Sequence, residues 1–304
     1  MERPPTETSL AGTAGIDIWE DARILDALLG GQERALAAVR AATAQISQAA
    51  TLIASRLAAG GRLIYAGAGT SIRIGVQDGS ELSATFGMAE EAILYLIAGG
   101  RDAMFDTLAD SEDDAQAGAR DAETCRPGDV LIAIAASGTT PFTVAAAQRA
   151  KQKGASVIAV VNNPGSPLGA LAEIEIVLNS GPEVIAGSTR LGAGTAQKAA
   201  LNLLSTLTHI KLGAVHDGLM VNVRAGNAKL KRRACQIIMR ISGADENAAA
   251  QALDQADGHV KAAVLICAGA RTKEAALSIL ADAKGNLRLA LSQNSVSTQS
   301  LPRL

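Results

Sequence analysis

The chain has 304 residues, and 30 of them are Gly. Its formal charge is −2, and only 2% of its residues are aromatic. A charge near zero excludes the basic surface of a nucleic-acid-binding protein, and so few aromatic rings argue against base stacking or an aromatic carbohydrate platform. An apolar fraction of 48% with 19% charged residues is typical of a globular protein. The length allows one large α/β domain with a small appendage.

Cysteines and the N-terminus indicate the compartment. Cys125, Cys235 and Cys267 are far apart and odd in number, which argues against a disulfide framework or a zinc cluster and favours reduced thiols. Residues 1–12 are polar and contain proline, without the apolar core of a secretory signal, and every apolar run is short and interrupted by Gly. We therefore expect a cytoplasmic protein without a membrane or nucleic-acid partner.

Residues 17–59 are rich in Ala and Leu at helical spacing, and they predict a helical N-terminal segment within residues 1–60. The pair Gly30-Gly31 predicts a division into two helices, and Gly60-Gly61 predicts the end of the second.

From residue 62 the pattern changes to short runs rich in Ile, Val and Leu, most of which end in Gly or Asn. The runs are RLIYAG, AILYLIAGG, DVLIAIAASG, SVIAVVNNPG and EIEIVLN. Because helix-like stretches separate them, they predict an α/β fold with a doubly wound, mostly parallel five-stranded sheet over residues 61–240. A long amphipathic helix is predicted at 193–213, and three short helices at 244–290 form a small module within 241–304.

Two loops follow buried strands of this sheet and precede helices. Gly permits close backbone approach, a helix N-terminus favours an anion, and Ser/Thr hydroxyls add donors. We expect a phosphate to be held by Ser137, Gly138, Thr139 and Thr140, with Gly69, Thr70 and Ser71 facing it. The alternative is a pair of ordinary turns in which Ser or Thr caps a helix. Neither loop has the spacing of a dinucleotide or P-loop motif, so a small phosphorylated ligand is favoured.

Two carboxylates, Glu81 and Glu112, are candidates for acid and base chemistry. Each has a simpler interpretation. Glu112 lies in an acidic cluster that is typical of a solvated helix start, and an exposed Glu such as Glu81 is common on helices. The histidines His209, His216 and His259 have no metal-ligand spacing.

These segments resemble the N-acetylmuramic acid 6-phosphate etherases, members of the sugar-isomerase (SIS) group of phosphosugar-binding domains to which glucokinase regulatory protein is related. The resemblance rests on GRLIYAGAGTS (61–71), SELSATFG (80–87), LIAGG (96–100), IAASGTTP (134–141), NNPGSPL (162–168) and GSTRLGAGTAQKAALNLLST (187–206). It spans nearly the whole chain.

The resemblance implies a flavodoxin-like sheet, a ubiquitin-associated-like C-terminal module, a homodimer and no cofactor or metal. It implies cleavage of the D-lactyl ether at C3 of N-acetylmuramic acid 6-phosphate, with Glu81 and Glu112 in the positions of the family's catalytic glutamates. It also places Ser188, Thr189, Gln197 and Lys198 among the residues that bind the substrate.

The chain departs from the family pattern at several positions. Thr139 stands where SGRTP has Arg, Gly192 stands where a basic residue is usual, and Leu82-Ser83-Ala84 replaces the segment with a proline pair. Loss of cations near an anionic substrate argues weakly against the etherase. Two alternatives stay open: a non-catalytic sugar-phosphate regulator, which the retention of Glu81 and Glu112 disfavours, and an aldose–ketose isomerase that uses His209 or His216.

Overall fold

The structure is a computed structural model that describes residues 5–106, 110–223 and 228–299. Five parallel strands of the described chain form one sheet in the order β2-β1-β3-β4-β5. Their bounds are β1 Leu63–Gly67, β2 Ile93–Ile97, β3 Val130–Ala135, β4 Ser156–Val161 and β5 Ile174–Val177. Each lies within one of the predicted apolar runs, and the order is that of flavodoxin-like folds. The predicted fold class is confirmed.

Burial explains why the strands are apolar throughout. Every residue of the central strands β1, β3 and β4 is buried, whereas the edge strands β2 and β5 are partly exposed. A parallel strand covered by helices on both faces has no side that faces water, so its sequence does not alternate between polar and apolar residues.

Seven α-helices lie in the described residues up to position 211. They are α1 Asp21–Ala41, α2 Thr43–Ala58, α3 Gly69–Phe86, α4 Ala115–Asp121, α5 Pro141–Gln152, α6 Pro167–Leu171 and α7 Gly192–Lys211. Helix α3 follows β1 directly and α5 follows β3. The predicted helix at 193–213 corresponds to α7, and Gly60, with a φ of +85°, follows α2 as predicted.

The predicted break at Gly30-Gly31 is wrong. Helix α1 runs through both glycines and ends at Ala41. A Cβ at Gly31 would lie 3.1 Å from Cγ2 of Val184, so this Gly allows close packing instead of ending the helix. A local pattern could not distinguish these two uses of glycine.

The chain divides into two compact units, residues 1–80 with 91–207 and residues 81–90 with 208–304. The second contains a short hairpin, β6 Val215–His216 and β7 Leu219–Met220, and helices α8 Ala228–Ser242, α9 Glu246–Gln255, α10 Val260–Cys267, α11 Lys273–Asp282 and α12 Leu287–Gln299. The three helices predicted at 244–290 correspond to α9, α10 and α11.

These units differ from the predicted division at residues 60 and 240. Helices α1 and α2 belong to the unit that contains the sheet, and α8 belongs to the helical unit. The reason for the second difference is packing, because Ala234, Ile237 and Ile238 of α8 share one core with residues of α9 and α10. Within the described ranges, no helix has the length and apolar character needed to cross a bilayer.

Candidate active site

A cleft of about 350 Å³ lies at the carboxyl ends of β1 and β3. The strand order reverses between these two neighbours, since β2 lies on one side of β1 and β4 lies beyond β3. Helices that follow such strands leave the sheet on opposite faces and open a crevice between their N-termini, where ligands of doubly wound folds bind. Both predicted anion loops line this cleft.

The first loop leads from β1 into α3 and contributes Gly69, Thr70 and Ser71 to the cleft. Gly69 begins α3 with a φ of +52°. Two residues earlier, Gly67 lies in the strand itself, where a Cβ would lie 2.8 Å from the carbonyl oxygen of Ile134. The sheet is therefore too tightly spaced here for any side chain.

The second loop leads from β3 into α5 and contributes Ser137, Thr139 and Thr140. Gly138 has a φ of +70°, and a Cβ there would lie 2.3 Å from both Cβ and Oγ of Ser166. The backbone N–H of Thr139 donates to Oγ of Ser137 at 3.2 Å. The loop is thus held in one shape by its own hydroxyl and by the segment before α6.

The capping alternative does not explain the second loop. Thr140 is the N-cap residue of α5, yet its side chain accepts no capping hydrogen bond. By contrast Ser166 caps α6 by accepting from the N–H of Gly169 at 3.2 Å. Since Thr140 lines the cleft and its hydroxyl does not cap its own helix, that hydroxyl is available to a ligand.

Carboxylates and Thr189 form the rest of the polar lining. Glu7, Glu112 and Asp113 line the cleft, and none of its described lining residues is Lys or Arg. The missing cations leave hydroxyls, backbone N–H groups and the N-terminal ends of α3 and α5 as the groups that favour an anion.

Members of the acidic cluster around Glu112 have different roles. Asp114 caps α4 by accepting from the N–H of Ala117 at 2.8 Å, so the helix-start interpretation holds for this residue. Glu112 and Asp113 precede it in a short 3₁₀ turn, Ser111–Asp113, and are exposed to the cleft. The capping that explains Asp114 does not account for Glu112.

Five predicted site residues do not line this cleft: Gly138, Ser188, Gln197, Lys198 and Glu81. Gly138 acts through the loop backbone, and Lys198 is exposed on α7. Glu81 is exposed on α3 and belongs to the helical unit. Thr189, in contrast, contributes to the lining, and its role in substrate binding stays a prediction.

Gln197 has a clear structural role. Its side chain is 1% exposed, and its Nε2 donates to Oδ1 of Asn162 at 3.0 Å. Asn162 in turn donates to the carbonyl of Leu178 at 2.9 Å. This buried network ties α7 to the ends of β4 and β5, and its loss would leave polar groups unpaired.

A second buried network holds α3. Asp78, which is 5% exposed, accepts hydrogen bonds from the hydroxyls of Tyr65 and Ser205 and from the amide of Asn202 at 2.8–3.0 Å. Burial, followed by the charge of Asp78, raises the pKa of Tyr65 well above its usual value and that of Tyr95 to about 12. Both tyrosines are therefore neutral, and the bond that Tyr65 donates to Asp78 fixes α3 to β1 while Ser205 and Asn202 fix it to α7.

The three histidines make structural contacts within the helical unit. His209 is 3% exposed and stacks on Phe86 with a centroid separation of 4.4 Å. His216 lies beside Asp217, and its burial lowers its pKa despite that neighbour. His259 caps α10 through Nδ1. These contacts give no support to an isomerase that uses His209 or His216.

Among the lining residues that were not predicted as site residues, two carry a charge, Glu7 and Asp113. Asp113 adjoins Glu112, but no feature of the sequence separates it from the capping Asp114. Glu7 lies in the cleft next to Thr6, which is bonded to Asn163 and Gly187 far along the chain, and no local signal predicts this.

Comparisons with known proteins identify the family. The SIS-domain family model matches residues 31–162. The N-acetylmuramic acid 6-phosphate etherase of Symbiobacterium thermophilum is 48% identical over 78% of this chain and 80% of its own. That of Deinococcus radiodurans is 45% identical over 86% and 87%.

The chain belongs to the N-acetylmuramic acid 6-phosphate etherase family. Among solved structures, a phosphoheptose isomerase from Francisella tularensis is similar at 21% identity, with a TM-score of 0.49, over 64% of this chain and 98% of that chain.

The departures from the etherase pattern have structural counterparts. Glu183, 3% exposed, accepts from the backbone N–H groups of Gly192 and Ala193 at 2.9 and 2.8 Å, and so caps α7. A Cβ at Gly192 would lie 3.1 Å from Oε2 of Glu183, so the basic residue usual in the family is replaced here by a closely packed cap. Without the family's proline pair, α3 continues as a helix to Phe86.

Proposed function

We propose that this chain cleaves the D-lactyl ether of N-acetylmuramic acid 6-phosphate, giving N-acetylglucosamine 6-phosphate and D-lactate. The observation that carries the proposal is the cleft, where two hydroxyl-bearing loops and a glutamate in the position of a family catalytic residue meet at the switch point of the sheet. Etherase relatives that match most of the chain support the substrate.

The chemistry suits carboxylates. In the open-chain sugar the C2 proton lies next to an aldehyde and is acidic enough for a carboxylate base. Its removal expels lactate from C3 and leaves an unsaturated aldehyde, to which water adds at C3. We assign the acid and base role at the leaving lactate and the returning water to Glu81, and the assisting base to Glu112. Elimination and hydration together consume one water and release one lactate.

The phosphate anchors the sugar. We assign it to the loop of Ser137, Gly138, Thr139 and Thr140, with Gly69, Thr70 and Ser71 opposite, and we assign supporting contacts to Ser188, Thr189 and Lys198. Gln197 is left out of this set because its side chain is buried and bonded to Asn162. Binding energy from this non-reacting end positions C2 and C3 for the reaction. The N-terminal ends of α3 and α5 favour the phosphate without the Arg that the family pattern has in place of Thr139.

The test is to incubate purified protein with N-acetylmuramic acid 6-phosphate and to measure D-lactate. Glu112→Gln should lower kcat by at least about 100-fold, the usual size of a general-base contribution. Asp113→Asn is the matched control, since Asp113 lines the same cleft and should retain most activity. Glu81→Gln should be inactive, with the exposed Glu90→Gln as its control.

A folded protein that binds N-acetylglucosamine 6-phosphate but releases no lactate would contradict the proposal and favour a sugar-phosphate regulator. In D₂O, deuterium should appear at C2 of the product because that carbon is deprotonated and reprotonated. Its absence would contradict the elimination route.

We also propose a cytoplasmic homodimer. The exposed leucines Leu25, Leu29 and Leu36 of α1 are 64%, 59% and 54% exposed and support a self-association surface. Light scattering should give twice the 30.9 kDa chain mass, and Leu25→Glu with Leu29→Glu should shift the protein toward monomer. A wild-type monomer would contradict this assignment.

A further inference from the structure

The N-terminal segment is bound to the sheet at Thr6. Thr6 is 1% exposed, although Pro5 and Glu7 on either side are exposed. Nδ2 of Asn163, just beyond β4, donates to the hydroxyl of Thr6 at 2.9 Å, and the carbonyl of Thr6 accepts from the N–H of Gly187 at 3.3 Å. Burial of both backbone and side chain fixes a segment that would otherwise fray.

The same contacts join this segment to the second anion loop. Asn163, itself 5% exposed, also donates to the carbonyl of Ala136 at 3.1 Å, next to Ser137. Three residues after Thr6, Ser9 pairs with Glu183 as a parallel bridge. Thr6 is therefore held at a fixed position relative to the second anion loop, and this position places the next residue, Glu7, at the cleft.

Glu7, the next residue, lines the cleft together with Glu112 and the loop hydroxyls. Its Oε2 lies 3.2 Å from where a Cβ of Gly187 would be, so the glycine leaves room for the carboxylate. Among the described residues, no hydrogen bond or ion pair engages the Glu7 carboxylate, which serves no structural bond of its own segment.

A carboxylate at this place has a defined chemistry. It repels a phosphate and accepts hydrogen bonds, so it suits hydroxyl or amide N–H donors at the other end of a phosphorylated sugar. We infer that Glu7 is a substrate-binding residue that recognises sugar hydroxyl or acetamide N–H donors in this cleft and thereby selects a phosphorylated amino sugar over phosphate alone. This inference rests on the proposed function for the identity of the ligand.

The test compares two probes by titration calorimetry, N-acetylglucosamine 6-phosphate and inorganic phosphate. Glu7→Gln should lower the affinity for the sugar phosphate on the order of tenfold, which is the effect of losing hydrogen bonds to a charged group. The affinity for inorganic phosphate should stay unchanged or increase. Thr6→Val keeps the side-chain shape but removes the hydroxyl bonded to Asn163, and it should lower the affinity for the sugar phosphate less than Glu7→Gln does. Glu20→Gln is the matched control, because Glu20 is exposed and outside the cleft lining.

Unchanged affinity of Glu7→Gln for the sugar phosphate would overturn the inference. An equal loss for both probes would also overturn it, since that pattern means that Glu7 only maintains loop shape. Release of lactate by the wild type with an unaffected Glu7→Gln variant would refute the inference and keep the proposed function. If Glu7→Gln weakens sugar-phosphate binding but the wild type releases no lactate, the inference is supported and the proposed function is refuted.

Discussion

The two anion loops have similar residues but different constraints. In the β3–α5 loop, Gly138 has a positive φ and lies against Ser166, so both its conformation and its surroundings exclude a side chain. In the β1–α3 loop, Gly69 has a positive φ with nothing within 4 Å of a Cβ. The tight position on that side is Gly67, inside the strand.

This difference indicates how the cleft is divided between the loops. The β3–α5 loop is rigid, because Ser137 bonds the N–H of Thr139 and Gly138 packs on Ser166. A rigid loop is preorganised for a phosphate, and we assign it the larger share of the binding free energy. The β1–α3 loop is held mainly through α3 and its buried Asp78.

The largest expected effect is that of Gly138→Ala. The new Cβ would meet Ser166 at 2.3 Å in a strained conformation, so the free energy of unfolding should fall by about 3 kcal/mol and sugar-phosphate binding should be lost. Urea unfolding and calorimetry measure both. Gly165→Ala is the control, with a φ of +72° and nothing within 4 Å. Equal effects of the two variants would contradict the packing argument.

Gly69→Ala should have a smaller effect. Its φ of +52° lies in the left-handed region and its surroundings are open, so the conformational cost alone applies, about 1 kcal/mol of unfolding free energy. The same two measurements apply. If this variant were as damaging as Gly138→Ala, the loops would be equally constrained and the comparison would fail.

Ser137→Ala tests the larger share assigned to the β3–α5 loop. It removes both a hydroxyl that donates to the phosphate and the oxygen that accepts from the N–H of Thr139. The affinity for the sugar phosphate should fall by about tenfold. Thr70→Val in the opposite loop removes a hydroxyl of the cleft lining and should cost about threefold. A reversed order, measured by titration calorimetry, would assign the phosphate to the β1–α3 loop.

Thr140→Val should have the smallest effect. Because this hydroxyl does not cap α5, unfolding free energy should stay within about 0.5 kcal/mol, while affinity falls about threefold. Ser166→Ala, which removes a true cap, should instead cost about 1 kcal/mol of stability. A loss of stability in Thr140→Val without a loss of affinity would restore the capping interpretation.

Much of the fold was predictable because its signals are local. Fully buried parallel strands such as β3 and β4 need continuous apolar runs, and glycine with Ser or Thr after them indicates the loops. The break assigned to Gly30-Gly31 was wrong, since the use of Gly31 depends on Val184, which is distant in sequence. The boundary at residue 240 differed for the same reason, because α8 belongs with the core that its apolar face contacts.

The strands, the two loops and the family could be predicted from local sequence, because apolar periodicity and short motifs are properties of neighbouring residues. Tertiary structure alone decided which polar groups are available to a ligand. It placed Gln197 in a buried bond with Asn162, gave Asp114 to a helix cap, and brought Glu7 into the cleft through Thr6 and Asn163. Availability depends on the partners that each group finds in space, and those partners are far away along the chain.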